Sequence, residues 1–112
     1  MKFRINVVRR ADRDVDQIMS WLAHHQKAPQ AAVRWFRAFE AALSRLARFG
    51  DQQPFAPENE LVDFELRHMA FKTRRGQLYR LLFTIIGDEV RVIHVRGFGQ
   101  DIVPIAKLHP GE

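Results

Sequence analysis

At 112 residues the chain is long enough for one domain and too short for two, and its lack of cysteine excludes disulfides and thiolate metal sites. Hydrophobic residues make up 46%, which excludes a disordered chain, while a formal charge of +5 points to an anionic partner. No apolar run approaches the ~18–20 residues of a membrane span, and MKFRINVVRRADRD lacks the apolar core of a signal peptide, so a cytoplasmic protein with no membrane contact is expected.

KFRINVV, residues 2–8, alternates Phe3, Ile5 and Val7 with Lys2, Arg4 and Asn6, the pattern of a half-buried strand. Asp12 then offers a helix cap, and Asp14 and Asp16 suit the positive end of the helix. Val15, Ile18, Met19 and Leu22 follow at helical spacing, which predicts a first helix from about residue 12 to His25. After a short link, Pro29 stands where a first-turn proline is tolerated. Ala32, Phe36, Phe39, Leu43 and Leu46 recur at intervals of four and three, predicting a second amphipathic helix that ends near Gly50, with Trp35 at the edge of the stripe. Two helices so closely joined form an antiparallel hairpin.

DQQPFAPENE, residues 51–60, reads as a loop. The period then changes to two: Val62, Phe64 and Leu66 alternate with Asp63, Glu65 and Arg67 in a predicted second strand. KTRRG is a polar turn. QLYRLLFTII is apolar on both faces, as in a central strand, and Gly87–Asp88 makes a tight hairpin into EVRVIHVRG. The order β-α-α-β-β-β predicts an α+β fold. A helical hairpin packs on one face of a mainly antiparallel four-stranded sheet, with the first strand at an edge. Residues 98–112 form a C-terminal tail of this one domain, spanning 1–112, and Pro104 opposes a regular strand there.

The charge is concentrated. Arg67, Lys72, Arg74, Arg75, Arg80, Arg91 and Arg96 face only Asp88 and Glu89 within residues 67–96, and the remainder of the chain is neutral. Such a segment suits nucleic acid or an acidic protein, unless its arginines merely solvate their strands. Near its end, VIHVRGFGQD sets His94 and Arg96 two residues apart, on one face of a strand. His94 has the chemistry of an acid or base, and equally that of a hydrogen-bonded core histidine. His24, His25, His68 and His109 show no ligand spacing, so neither a metal nor another cofactor is expected.

The order of elements and several runs together resemble the RelE/ParE superfamily, the toxins of type II toxin–antitoxin pairs, often described as plasmid-stabilisation proteins. The runs are ADRDVDQI at 11–18, APENE at 56–60, ELR at 65–67, YRLLFTIIGDEV at 79–90 and IHVR at 93–96. The resemblance implies a bacterial growth inhibitor neutralised by a cognate antitoxin, a small acidic protein that folds on binding. Arg67 matches an arginine of both branches of the family, Arg80 matches that of the Tyr-Arg run, and Arg96 closes the last strand. RelE-like members, ribosome-dependent mRNA endonucleases, carry a further arginine where this chain has Phe98, and lysines where it has Glu58 and Glu60. No tyrosine follows Tyr79, and Gly97 stands where plasmid-stabilisation relatives have histidine.

The resemblance therefore leans to ParE-like action on DNA gyrase. The target- or antitoxin-binding residues expected are Arg67, Lys72, Arg74, Arg75, Arg80, Arg91, Arg96 and Phe98. The alternative is a RelE-like endonuclease acting on mRNA at the ribosome through Arg67, His94 and Arg96. A third reading, a small nucleic-acid-binding module, is opposed by Phe71, Tyr79 and Phe83, which are spaced as core and not as stacking platforms.

Overall fold

A computed structural model describes residues 3–24, 28–97 and 103–110. The order is β1 (Arg4–Val7), α1 (Arg9–His24), α2 (Pro29–Phe49), β2 (Arg67–Phe71), β3 (Tyr79–Ile86) and β4 (Glu89–Gly97). Short 3-10 turns cover Gly50–Gln52, Pro57–Leu61 and Ile105–Lys107. The strands form one sheet in the order β1-β4-β3-β2. β2, β3 and β4 are an antiparallel meander, but β1 runs parallel to β4, so the sheet is mixed. The fold is α+β, as expected, with the first strand at the edge beside β4.

α1 begins at Arg9, three residues before the predicted cap, and Asp12 lies inside its first turn. The reason is the tightness of the β1–α1 connection. The Val8 N–H still donates to the Val92 carbonyl at 3.1 Å, while the Val8 carbonyl already accepts from the Asp12 N–H at 3.0 Å. One residue thus ends the ladder and opens the helix. The predicted last residue of α1, His25, lies outside the described residues.

α2 runs from Pro29 as expected, but its inner face is rotated. Ala32, Trp35, Phe39, Ala42 and Leu46 are buried, whereas Phe36 and Leu43 are only partly so. Both sets repeat at three and four, so periodicity alone does not separate them. Packing does. Trp35 stacks on Phe39 at 5.6 Å and 5°, and meets Phe71 and Tyr79 of the sheet at 5.6 and 5.5 Å. Ala42 lets the helix come close, as does Gly50 at its end, where a Cβ would stand 3.0 Å from Val90 Cγ2.

The predicted second strand is shorter than its alternation implies. Residues 62–66 are not strand, and their polar backbone turns instead to the preceding loop. The Leu66 N–H donates to Asn59 Oδ1 at 2.8 Å, and the Leu66 carbonyl accepts from the Ala56 N–H at 2.9 Å. β3 and β4 are central and nearly all buried. They join at Gly87, whose φ of +60° is the conformation a primed two-residue hairpin requires.

β4 carries a bulge. Leu82 opposes His94 but Phe83 opposes Val92, leaving Ile93 as the extra residue. Opposed residues share a face. The bulge therefore brings Arg91, opposite Thr84, and Arg96, opposite Arg80, to the same side of the sheet, which strict alternation would forbid. That side, away from the helices, is covered by the Pro57–Leu61 turn and the segment 103–110, where Glu58, Val103 and Leu108 are buried.

Candidate binding groove

The seven described cations of the basic segment do not form one surface. Arg80 is only 4% exposed. Its Nη1 donates to Glu58 Oε1 at 2.9 Å, its Nη2 pairs with Glu58 Oε2, and the Val103 N–H donates to the same Oε2 at 2.9 Å. Burial alone would raise the Glu58 carboxyl, but the Arg80 and Val103 donors override it and hold the group at about 2. Burial, followed by the Arg80 charge, pushes the neighbouring His68 down. Arg80, expected on a binding surface, is thus enclosed as a structural ion pair. Its partner Glu58 reads in sequence as a loop residue, because nothing in APENE announces a carboxylate carried beneath the sheet.

Arg67 is tied to the opposite end of β2. Its Nη1 donates to the Gln53 carbonyl, and its guanidinium lies 4.4 Å from the centre of the Phe55 ring. Arg91 Nε donates to Glu89 Oε2 at 2.7 Å and its Nη1 to the Pro110 carbonyl at 2.8 Å. Phe98 lies outside the described residues.

His94 is 5% exposed, and its Nδ1 lies 2.7 Å from Asp14 Oδ2. The two atoms approach closely without the geometry of a hydrogen bond. The same Asp14 oxygen accepts the Val95 N–H at 3.0 Å. This is the rung of β4 just past the end of β1, where an edge N–H would otherwise go unpaired. The sequence marks Asp14 only as a residue that suits the helix dipole. Its role as an edge cap depends on where β1 stops.

Of the remaining cations, Arg74, Arg75 and Arg96 line two adjoining grooves at one end of the sheet. One, of about 420 Å³, runs between α1 and the end of β4 and is lined by Asp14, Trp21, Tyr79, His94, Arg96 and Lys107. The other, of about 590 Å³, lies between the α1–α2 hairpin and the β2–β3 turn and holds Arg34, Arg74 and Arg75. Trp21 and Tyr79 line both, so the grooves are continuous. Lys72, Arg74 and Arg75 are exposed on the turn, as a binding role requires. Arg34 and Lys107 lie outside the basic segment in sequence and were not expected here. Among the described residues no group of acids or histidines is arranged to hold a metal, and no helix is long and apolar enough to cross a membrane.

This architecture, a helical hairpin on one face of a small mixed sheet, has counterparts among solved structures. A chain of the chromosomal ParDE TA system from P. aeruginosa is similar, with a TM-score of 0.66 and 17% identity over 86% of this chain and 96% of that one. A chain of the toxin–antitoxin complex RelBE2 from Mycobacterium tuberculosis superimposes with a TM-score of 0.48 and 23% identity, over 87% and 99%. No protein-family model and no curated protein matches. The chain shares its fold with that chain of the ParDE TA system.

Proposed function

We propose that this chain is the toxin of a bacterial type II toxin–antitoxin pair of the plasmid-stabilisation kind, that a small acidic antitoxin neutralises it, and that it acts in the ParE manner on DNA gyrase. The observation that supports the gyrase reading is the separation of Arg67 from the other two nuclease candidates, His94 and Arg96. Arg67 stands on the rung of Phe83, and Arg96 on that of Arg80, two strands away. That puts their Cα atoms roughly 14 Å apart, from ~3.3 Å per residue along a strand and ~4.8 Å between strands. The Arg67 guanidinium is engaged with Gln53 and Phe55, and His94 is enclosed beside Asp14. A phosphorane needs its acid, base and cation at one point.

One observation favours the RelE-like alternative. His94 and Arg96 line the same groove, which sets an imidazole and a cation side by side. The test is to add purified protein to a gyrase supercoiling assay and, separately, to a translation extract with reporter mRNA. Loss of supercoiling with intact mRNA is expected. Cleaved mRNA with unaffected gyrase overturns the gyrase reading.

A further inference from the structure

We propose that the face formed by the outer edge of β1 and the tail segment 108–110 is a two-fold interface between two copies of this chain. Two grooves of opposite charge meet there. One, of about 820 Å³, runs beside β1 and is lined by Arg9, Arg13 and Arg91, with no acid among its described lining residues. The other, of about 500 Å³, lies between residues 60–64 and 108–110 and is lined by Glu60 and Asp63, with no arginine or lysine among its described lining residues. Pro110 lines both, so the grooves adjoin. Arg9, Arg13, Glu60 and Asp63 are all exposed, and none of the four is held in an ion pair among the described residues. A two-fold axis beside Pro110 sets each basic groove against the acidic groove of the other copy, so the contact is self-complementary.

The backbone supplies a second observation, independent of charge. β1 is a terminal strand of the sheet. Its Arg4 and Val8 N–H groups donate to the Asp88 and Val92 carbonyls at 2.8 and 3.1 Å, so strand alternation turns those of Ile5 and Val7 outward. Among the described residues these outward groups have no backbone partner, and an open edge is a template for another strand. Residues 62–65 are the matching half. Val62, Phe64 and Leu66 alternate with Asp63 and Glu65 as in a strand, and Val62 is extended at φ −125° and ψ 164°, yet residues 62–66 belong to no strand of the single chain. Leu61 beside them is 44% exposed, an apolar side chain that such a contact covers. A nucleic-acid strand fits only the basic half, because past Pro110 it meets Glu60 and Asp63. This face shares no lining residue with the grooves at Trp21 and Tyr79, so pairing leaves those grooves open.

Sedimentation equilibrium of the full chain is the test. A dimer is expected at ~0.1 M salt, loosening toward ~1 M as the Debye length falls from ~10 to ~3 Å. Arg9→Glu with Arg13→Glu turns the basic groove acidic, and Glu60→Lys with Asp63→Lys turns the acidic groove basic. Each double variant alone should self-associate roughly a hundred-fold more weakly, the scale of like charges set against each other at a contact. An equimolar mixture of the two should dimerise again, because both contacts of the mixed pair then join opposite charges. That recovery separates a lost interface from a lost fold, and circular dichroism checks the fold of each variant directly. A wild-type chain that stays monomeric up to millimolar concentration overturns the proposal. So does a dimer indifferent to both reversals, or a mixture that fails to associate. Assembly continuing past the dimer overturns the two-fold arrangement. The measurement uses the chain alone, so it fails or succeeds separately from any growth or gyrase assay of the toxin reading.

Discussion

Arg80 in the middle of the sheet and Glu58 in a 3-10 turn 22 residues earlier form an ion pair in which both side chains are at most 5% exposed. A buried pair is costly to break from one side, because the survivor keeps its charge without a partner. Glu58→Ala should therefore cost about 3–5 kcal/mol in chemical denaturation, and Glu58→Leu with Arg80→Met should cost less than either single change. A double variant as unstable as the sum of its singles would show that the pair has no coupling.

The same carboxyl sets an acid limit. Its folded value of about 2 lies below the ordinary 4.5, so the folded state binds its proton less readily than the unfolded chain. The stability this gives is complete above about pH 4.5 and disappears as pH falls toward 2. Urea midpoints of the wild type should fall across that window, and those of Glu58→Gln should fall less.

The rotated face of α2 gives a contrast between neighbours. Phe39→Ala empties a buried aromatic site and should cost about 3–5 kcal/mol. Phe36, only partly buried, should cost clearly less on the same substitution. Equal losses in guanidinium unfolding would place the stripe where periodicity first put it.

The ending of β4 separates binding from catalysis. If His94 is a positioned core histidine and Arg96 and Phe98 contact the target, Arg96→Glu and Phe98→Ala should each reduce toxicity more than His94→Gln. A general acid or base contributes roughly 10²–10⁴-fold, so the reverse ranking in a growth assay would be plain and would move the protein to the nuclease branch.

Association with the proposed acidic antitoxin should slow as salt rises, since Arg34, Arg74, Arg75 and Lys107 border one groove system. The Debye length shortens from ~10 Å at 0.1 M to ~3 Å at 1 M, which removes long-range steering. Stopped-flow rates that stay constant over that range would deny the groove this part.

Much of the fold was legible locally. The alternation of Phe3, Ile5 and Val7, the helical spacing after Val15, Pro29 at the start of α2 and the Gly87–Asp88 hairpin are signals carried by neighbours in sequence, and each appears where it was read. The basic segment was equally visible as a charge excess. Its division was not. Whether an arginine faces solvent or a carboxylate depends on what crosses the sheet above it. Only tertiary structure brings Glu58 and Val103 to Arg80, Asp14 to the free rung of β4, and Arg34 beside Arg74 and Arg75. The bulge at Ile93 likewise follows from pairing, and it sets the faces of Arg91 and Arg96. Periodicity reports which face of an element is apolar. It does not report the partner, because burial and ion pairing are made between residues far apart in the chain.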